Sequence, residues 1–133
     1  MRTTILILIA CLLCLTVGVL AANRTASAAD KAGVVRHVVL LKFKDGLAPE
    51  KIREVEKAFV ALKDKIDTVK ALEWGTDISP EKLSQGFTHC FMLTFADEKG
   101  RDAYLPHPAH KEFGKMLGPV LDKVLVVDYK TGG

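Results

Sequence analysis

The chain has 133 residues, 49% of them hydrophobic and 26% charged, the size of one ordinary domain. Lys plus Arg is 19 and Asp plus Glu is 16, a net charge of +3. Arg2 and Arg24 lie in the first 29 residues, so the remainder holds 17 basic and 16 acidic side chains, or +1, which excludes the electrostatic footprint of a nucleic-acid-binding protein. Cys11 and Cys14 lie in the leader, leaving Cys90 alone. An intrachain disulfide framework and a Cys-rich zinc site are therefore excluded.

The N-terminus opens with Arg2, an apolar run from Ile5 to Ala22, and then Ala26-Ser27-Ala28. A positive start, an apolar middle and a small-residue end predict a secretory signal peptide over residues 1–29. The domain then occupies 30–133 and is exported, to the periplasm or the medium. The run of 18 residues is just short of the ~20 that a spanning helix needs, so an uncleaved membrane anchor is the rival reading. Leu8-Ile9-Ala10-Cys11 also resembles a lipobox, although the apolar run continues well past Cys11. With the leader cleaved, no stable membrane association is expected. A single cysteine in an oxidising compartment fits a buried Cys90 that avoids mispairing.

Val34–Lys44 alternates as a strand, with His37, Val39, Leu41 and Phe43 on one face and Arg36, Val38, Leu40 and Lys42 on the other. Asp45-Gly46 ends it. Pro49 suits the first turn of a helix, and Ile52, Val55, Phe59, Leu62 and Ile66 form one apolar stripe through about Ile66. Val69–Gly75 reads as a short strand containing Trp74. Residues 76–86 read as a loop, with room for one helical turn. Phe87–Phe95 is the clearest strand, alternating His89, Phe91, Leu93 and Phe95 with Thr88, Cys90, Met92 and Thr94. Asp97–Leu105 reads as a short helix stopped by Pro106. Pro108 reopens a helix through about Leu117. A bend at Gly118-Pro119 and a turn to Asp122 lead into a last strand, Val124–Tyr129.

The order β-α-β-β-α-β predicts an α+β, ferredoxin-like fold: a four-stranded antiparallel sheet with helices on one face. The second face still carries Val38, Leu40, Cys90, Met92, Leu125 and Val127. Left in water, they would make one large apolar patch. A second copy packed sheet to sheet, a symmetric homodimer, covers it.

Four histidines carry the candidate chemistry. His37 and His89 share the apolar, helix-facing register of the first and third strands. Those strands are neighbours in this fold, so the two imidazoles are expected side by side beneath the helices, where buried rings need partners. In Tyr104-Leu105-Pro106-His107-Pro108-Ala109-His110, Pro108 makes His107 the expected N-cap and puts His110 in the first turn. The helix N-terminus disfavours an imidazolium there, which suits His110 as a general base. Tyr104 supplies a phenolic donor for a carbonyl or oxyanion. The structural alternative is a tight inter-helix corner, shaped by His107 and the prolines. A metal site would need the same histidines, and no acidic companion lies near His107 or His110, so no metal is expected. Asp128 reads as structural.

These residues carry a resemblance. Val35-Arg36-His37-Val38-Val39-Leu40-Leu41-Lys42-Phe43-Lys44, Glu73-Trp74-Gly75, Gly86-Phe87-Thr88-His89, Asp102 to His110 and Val124 to Tyr129 together resemble the stress-responsive A/B barrel (Dabb) family of dimeric α+β barrels. The resemblance spans residues 35–129. It implies two ferredoxin-like subunits closing a β-barrel, without a cofactor. Similarity to a polyketide cyclase of the family implies His110 as catalytic base, Tyr104 as its catalytic partner, and matching histidines at His37, His89 and His107. Phe59 stands where that cyclase has a pocket tyrosine, which makes this pocket less polar. The implied pocket lies between sheet and helices and is lined by His37, Val39, Leu41, Phe59, His89, Phe91, His107, Phe113, Val124 and Val126. Three functions stay open: binding of a small hydrophobic or carbonyl-containing ligand, with a stress-related role; a cofactor-independent lyase or cyclase; and a cofactor-independent monooxygenase.

Overall fold

The computed structural model describes residues 33–132. The leader, with its signal, anchor and lipobox readings, lies outside the described residues. Strand β1 (Val35–Phe43) is followed by helices α1 (Pro49–Val60) and α2 (Leu62–Lys65), then strands β2 (Val69–Thr76) and β3 (His89–Phe95). Helices α3 (Glu98–Tyr104) and α4 (Pro108–Leu117), a 3₁₀ turn at Gly118–Val120 and strand β4 (Leu121–Lys130) complete it. The sheet is antiparallel, in the order β2-β3-β1-β4. This is the predicted α+β, ferredoxin-like architecture.

The burial of β1 alternates along its whole length, and the buried set is Val35, His37, Val39, Leu41 and Phe43. That face meets the helices. Val55 and Phe59 of α1 and Phe113 of α4 bury against Phe91, Leu93 and Phe95 of β3. Phe59 stacks on Phe91 at 4.0 Å and tilts against Phe113 at 4.7 Å, so aromatic packing joins both helices to the sheet.

Several boundaries differ from expectation. The first helix breaks at Ala61, whose N–H donates to the Lys57 carbonyl at 3.0 Å. The short α2 then continues the same stripe, with Leu62 and Ile66 both buried. Phe87 and Thr88 belong to the β2–β3 loop, closed by Asp77 N–H donating to the Thr88 carbonyl at 2.9 Å. Strand β4 begins at Leu121, ahead of the expected Val124. A register shift between Lys42 and Phe43 lets Phe43 pair with Leu121, and Lys42 holds Asp122 at 2.7 Å.

The second sheet face is as apolar as predicted. Val38 lies between Met92 and Val127, and Leu40 between Cys90 and Leu125. In the single chain Leu125 and Val127 stay 41% and 49% exposed. Cys90, expected to be buried, is exposed on this face, because no element of the same chain covers it. The helices also leave edge strand β4 uncovered. Val124 and Val126 face the helix side and still remain about half exposed. That gap at the sheet edge is where the candidate site opens.

Candidate functional site

The segment from Tyr104 to His110 builds a corner between two helices. Asp97 caps α3 by accepting from the Gly100 N–H at 2.9 Å, and α3 ends at Tyr104. His107 is the N-cap of α4, and its Nδ1 accepts from the Ala109 N–H at 3.2 Å. Such a cap satisfies one of the orphan donors of a helix start. The orphan carbonyl of Leu105 is met by His110, whose Nδ1–H donates to it at 2.9 Å. A carbonyl only accepts, so the His110 proton sits on Nδ1 and its Nε2 is the lone-pair nitrogen of the neutral ring. Two prolines lacking N–H groups, Pro106 and Pro108, shape the turn between.

Beneath this corner lies a cavity of 220 Å³, lined by His37, Val39, Phe59, Tyr104, Leu105, His110, Phe113, Gly114, Leu117, Val124 and Val126. Its lining is apolar except for three rings. Tyr104, 1% exposed, contacts both imidazoles, its ring centroid 4.4 Å from that of His110 and 5.7 Å from that of His37. Among the described residues, no protein group hydrogen-bonds the Tyr104 hydroxyl or His110 Nε2. Burial pushes the Tyr104 phenol well above its ordinary range, so it is a neutral donor at physiological pH. The native state thus keeps its proton to higher pH than the unfolded chain does. Stability should fall as pH rises through about 10. Denaturation midpoints measured across that range should show a smaller alkaline loss in Tyr104→Phe than in the unmodified chain.

His37 is 5% exposed. Its Nδ1–H donates to Asp128 Oδ1 at 2.6 Å, and Asp128 also accepts from Arg101 of α3. Partial burial opposes ionisation of Asp128, but the hydrogen bonds from His37 and Arg101 hold its carboxyl below the ordinary range.

The structure brings together His37, Val39, Phe59, Tyr104, His110, Phe113, Val124 and Val126. It does not bring in the other four expected lining residues. Leu41 and Phe91 are fully buried core, farther along the sheet. His107 is occupied as a cap. His89 is not beside His37: it pairs with Leu41, whereas His37 pairs with Leu93. An offset of four residues along a strand is about 13 Å, because adjacent strands share an edge but not a predetermined register. His89 instead donates from Nε2 to Glu56 Oε1 at 3.0 Å and holds the Thr88 hydroxyl at 2.8 Å on Nδ1.

Leu105, Gly114 and Leu117 join the lining without having been expected, and the Asp128–Arg101 pair stands behind His37 without lining the cavity. A signal for Asp128 existed: a carboxylate in register with Val124 and Val126 must find a partner. Cys90 is on the opposite face, and partial burial together with Glu73 pushes its thiol up, which disfavours the reactive thiolate. Among the described residues, no three His, Cys, Asp or Glu side chains group as metal ligands.

The chain is 49% identical over 101 residues to the stress-response A/B barrel domain-containing protein HS1 of Arabidopsis thaliana, covering 76% of this chain and 93% of that protein. It is 34% identical over 95 residues to olivetolic acid cyclase of Cannabis sativa, covering 71% of this chain and 94% of the cyclase. The hydroxynitrile lyase of Passiflora edulis superposes with a TM-score of 0.72 at 28% identity, over 76% of this chain and 95% of the lyase. A dimeric ferredoxin-like protein of unknown function from Jannaschia sp. CCS1 superposes with a TM-score of 0.64 at 29% identity, over 73% of this chain and 98% of that one. The family model of the Stress responsive A/B Barrel Domain matches residues 35–131, and the chain belongs to that family.

Proposed function

We propose that the cavity binds a small, mostly apolar carbonyl compound, and that His110 and Tyr104 act on it as base and hydrogen-bond donor, in lyase or cyclase chemistry that needs no cofactor. One observation carries this reading. A phenol without a protein hydrogen-bond partner packs against two imidazoles in a cavity that is otherwise apolar. Pure storage of a hydrophobe needs none of these rings. Two relatives that cover most of the domain, a cyclase and a hydroxynitrile lyase, support a carbonyl-centred reaction.

The chemistry follows from the donors and acceptors. His110 Nε2 takes a proton from the carbon next to a ligand carbonyl. The Tyr104 hydroxyl donates to the carbonyl oxygen, where the negative charge collects. The carbanion adds to a second carbonyl, forming one carbon–carbon bond, and the imidazolium returns the proton to the new alkoxide. Cleavage of a hydroxynitrile runs in the opposite sense: His110 takes the hydroxyl proton, the carbon–carbon bond breaks, and the departing cyanide receives that proton. Assaying the purified domain with a panel of hydroxynitriles and diketones tests the reading. Carbonyl release or ring closure supports it, and inertness towards the whole panel counts against catalysis.

The active unit in this proposal is a homodimer, since the apolar second face needs a cover and the structurally similar Jannaschia protein is dimeric. Export remains part of the proposal on sequence grounds. Protein from the native host should begin near Asp30, and an intact mass that retains Met1 in the membrane fraction would replace cleavage by anchoring.

A further inference from the structure

The cavity's third polar ring is unexplained by the pair His110 and Tyr104. His37, like His110, packs against the Tyr104 ring, and it is backed by a chain of polar contacts that reaches a different element. Its Nδ1–H meets Asp128 of β4 at 2.6 Å. The other oxygen of Asp128 is taken by the guanidinium of Arg101, whose Nε is itself held by Asp102 at 2.7 Å. Arg101 lies three residues before Tyr104 on α3, so the same helix carries both the donor and the clamp. A carboxylate only accepts. On the neutral ring, Asp128 therefore fixes the His37 proton on Nδ1 and leaves Nε2 as the nitrogen of this cavity-lining ring that is free to accept. Among the described residues, no hydrogen bond is made at that Nε2.

We propose, building on the carbonyl-ligand reading above, that Arg101 and Asp128 are positioning residues which present His37 Nε2 as a hydrogen-bond acceptor, so that the cavity selects carbonyl compounds that also carry a hydroxyl donor. Arg101 keeps the carboxylate from turning away from the ring, and Asp128 sets the tautomer. Tyr104 donates to the ligand carbonyl oxygen, and His37 accepts from the ligand hydroxyl. The two rings line one small apolar space with their centroids 5.7 Å apart, which suits a ketone with a hydroxyl on the neighbouring carbon better than a plain ketone.

The test has two arms. In the first, imidazole nitrogen NMR reads the His37 tautomer on the neutral ring at alkaline pH, and needs no ligand. The Nδ1–H form is expected in the unmodified protein. In Asp128→Asn, Arg101 still takes the side-chain oxygen, so the amide NH₂ faces His37 and the proton should move to Nε2. In Arg101→Gln, the Nδ1–H signal should lose intensity to the other tautomer. An Nε2–H ring in the unmodified protein overturns the proposal without any variant, as does an unchanged tautomer in folded Asp128→Asn.

In the second arm, α-hydroxyacetophenone is titrated against acetophenone. One neutral hydrogen bond predicts about threefold to tenfold tighter binding of the hydroxy ketone, and this preference should vanish in His37→Phe, which keeps a ring and removes the nitrogen. Equal affinities in the unmodified protein overturn the selectivity. If neither ketone binds, the carbonyl-ligand reading fails by itself, and the tautomer arm still decides the positioning role.

Discussion

His110→Ala should lower turnover by about 10²–10⁴-fold, the usual worth of a positioned general base. The ring is only partly buried, and its single protein hydrogen bond is to the Leu105 carbonyl. Its removal should therefore leave the melting temperature near that of the unmodified protein, and the loss should fall on kcat. Tyr104→Phe keeps the ring packed between His37 and Phe95 and removes one donor, for which about 10²–10³-fold is expected. Steady-state kinetics on any compound turned over in the panel, with thermal melts of both variants, measure this. A His110→Ala enzyme with unchanged kcat would reduce the corner to architecture.

The second large effect is on assembly. Leu40 lies at the centre of the apolar second face, between Cys90 and Leu125. In a lone chain that position is only half-buried, and a carboxylate there would still reach water. Pressed against a second sheet, the same carboxylate is desolvated without a partner, at a cost of several kcal/mol. Leu40→Asp should therefore convert a dimer into monomer or unfolded chain at micromolar concentration. Light scattering and circular dichroism distinguish those two products. A variant that stays dimeric with its melting temperature intact would move the interface elsewhere, and a monodisperse monomer of the unmodified protein would remove it.

Much of the architecture was legible because each signal was local. Two-residue alternation in Val35–Phe43 and His89–Phe95 gave both inner strands with their faces. The Pro-His-Pro run gave the N-cap and the first turn of α4. Edges were less legible. The early start of β4 depends on a register shift in β1, which no pattern within residues 121–124 encodes. In the site, His110, Tyr104 and His37 were placed by their elements alone. His89 was misplaced because its distance from His37 depends on pairing between strands separated by more than forty residues of chain. The same lack of register information hid Asp128, whose role depends on lying directly opposite His37. Arg101 could not be found from spacing, since only the approach of α3 to β4 gives it a partner.

Chemical-shift mapping with acetophenone reads occupation of the cavity by a ketone without requiring turnover. Shifts should cluster on His37, Tyr104, His110, Phe113, Val124 and Val126, around the 220 Å³ cavity. Shifts confined to the separate cleft beside Gly75, Ser84, Phe87 and Cys90, or no shifts at saturating ketone, would contradict binding at that cavity.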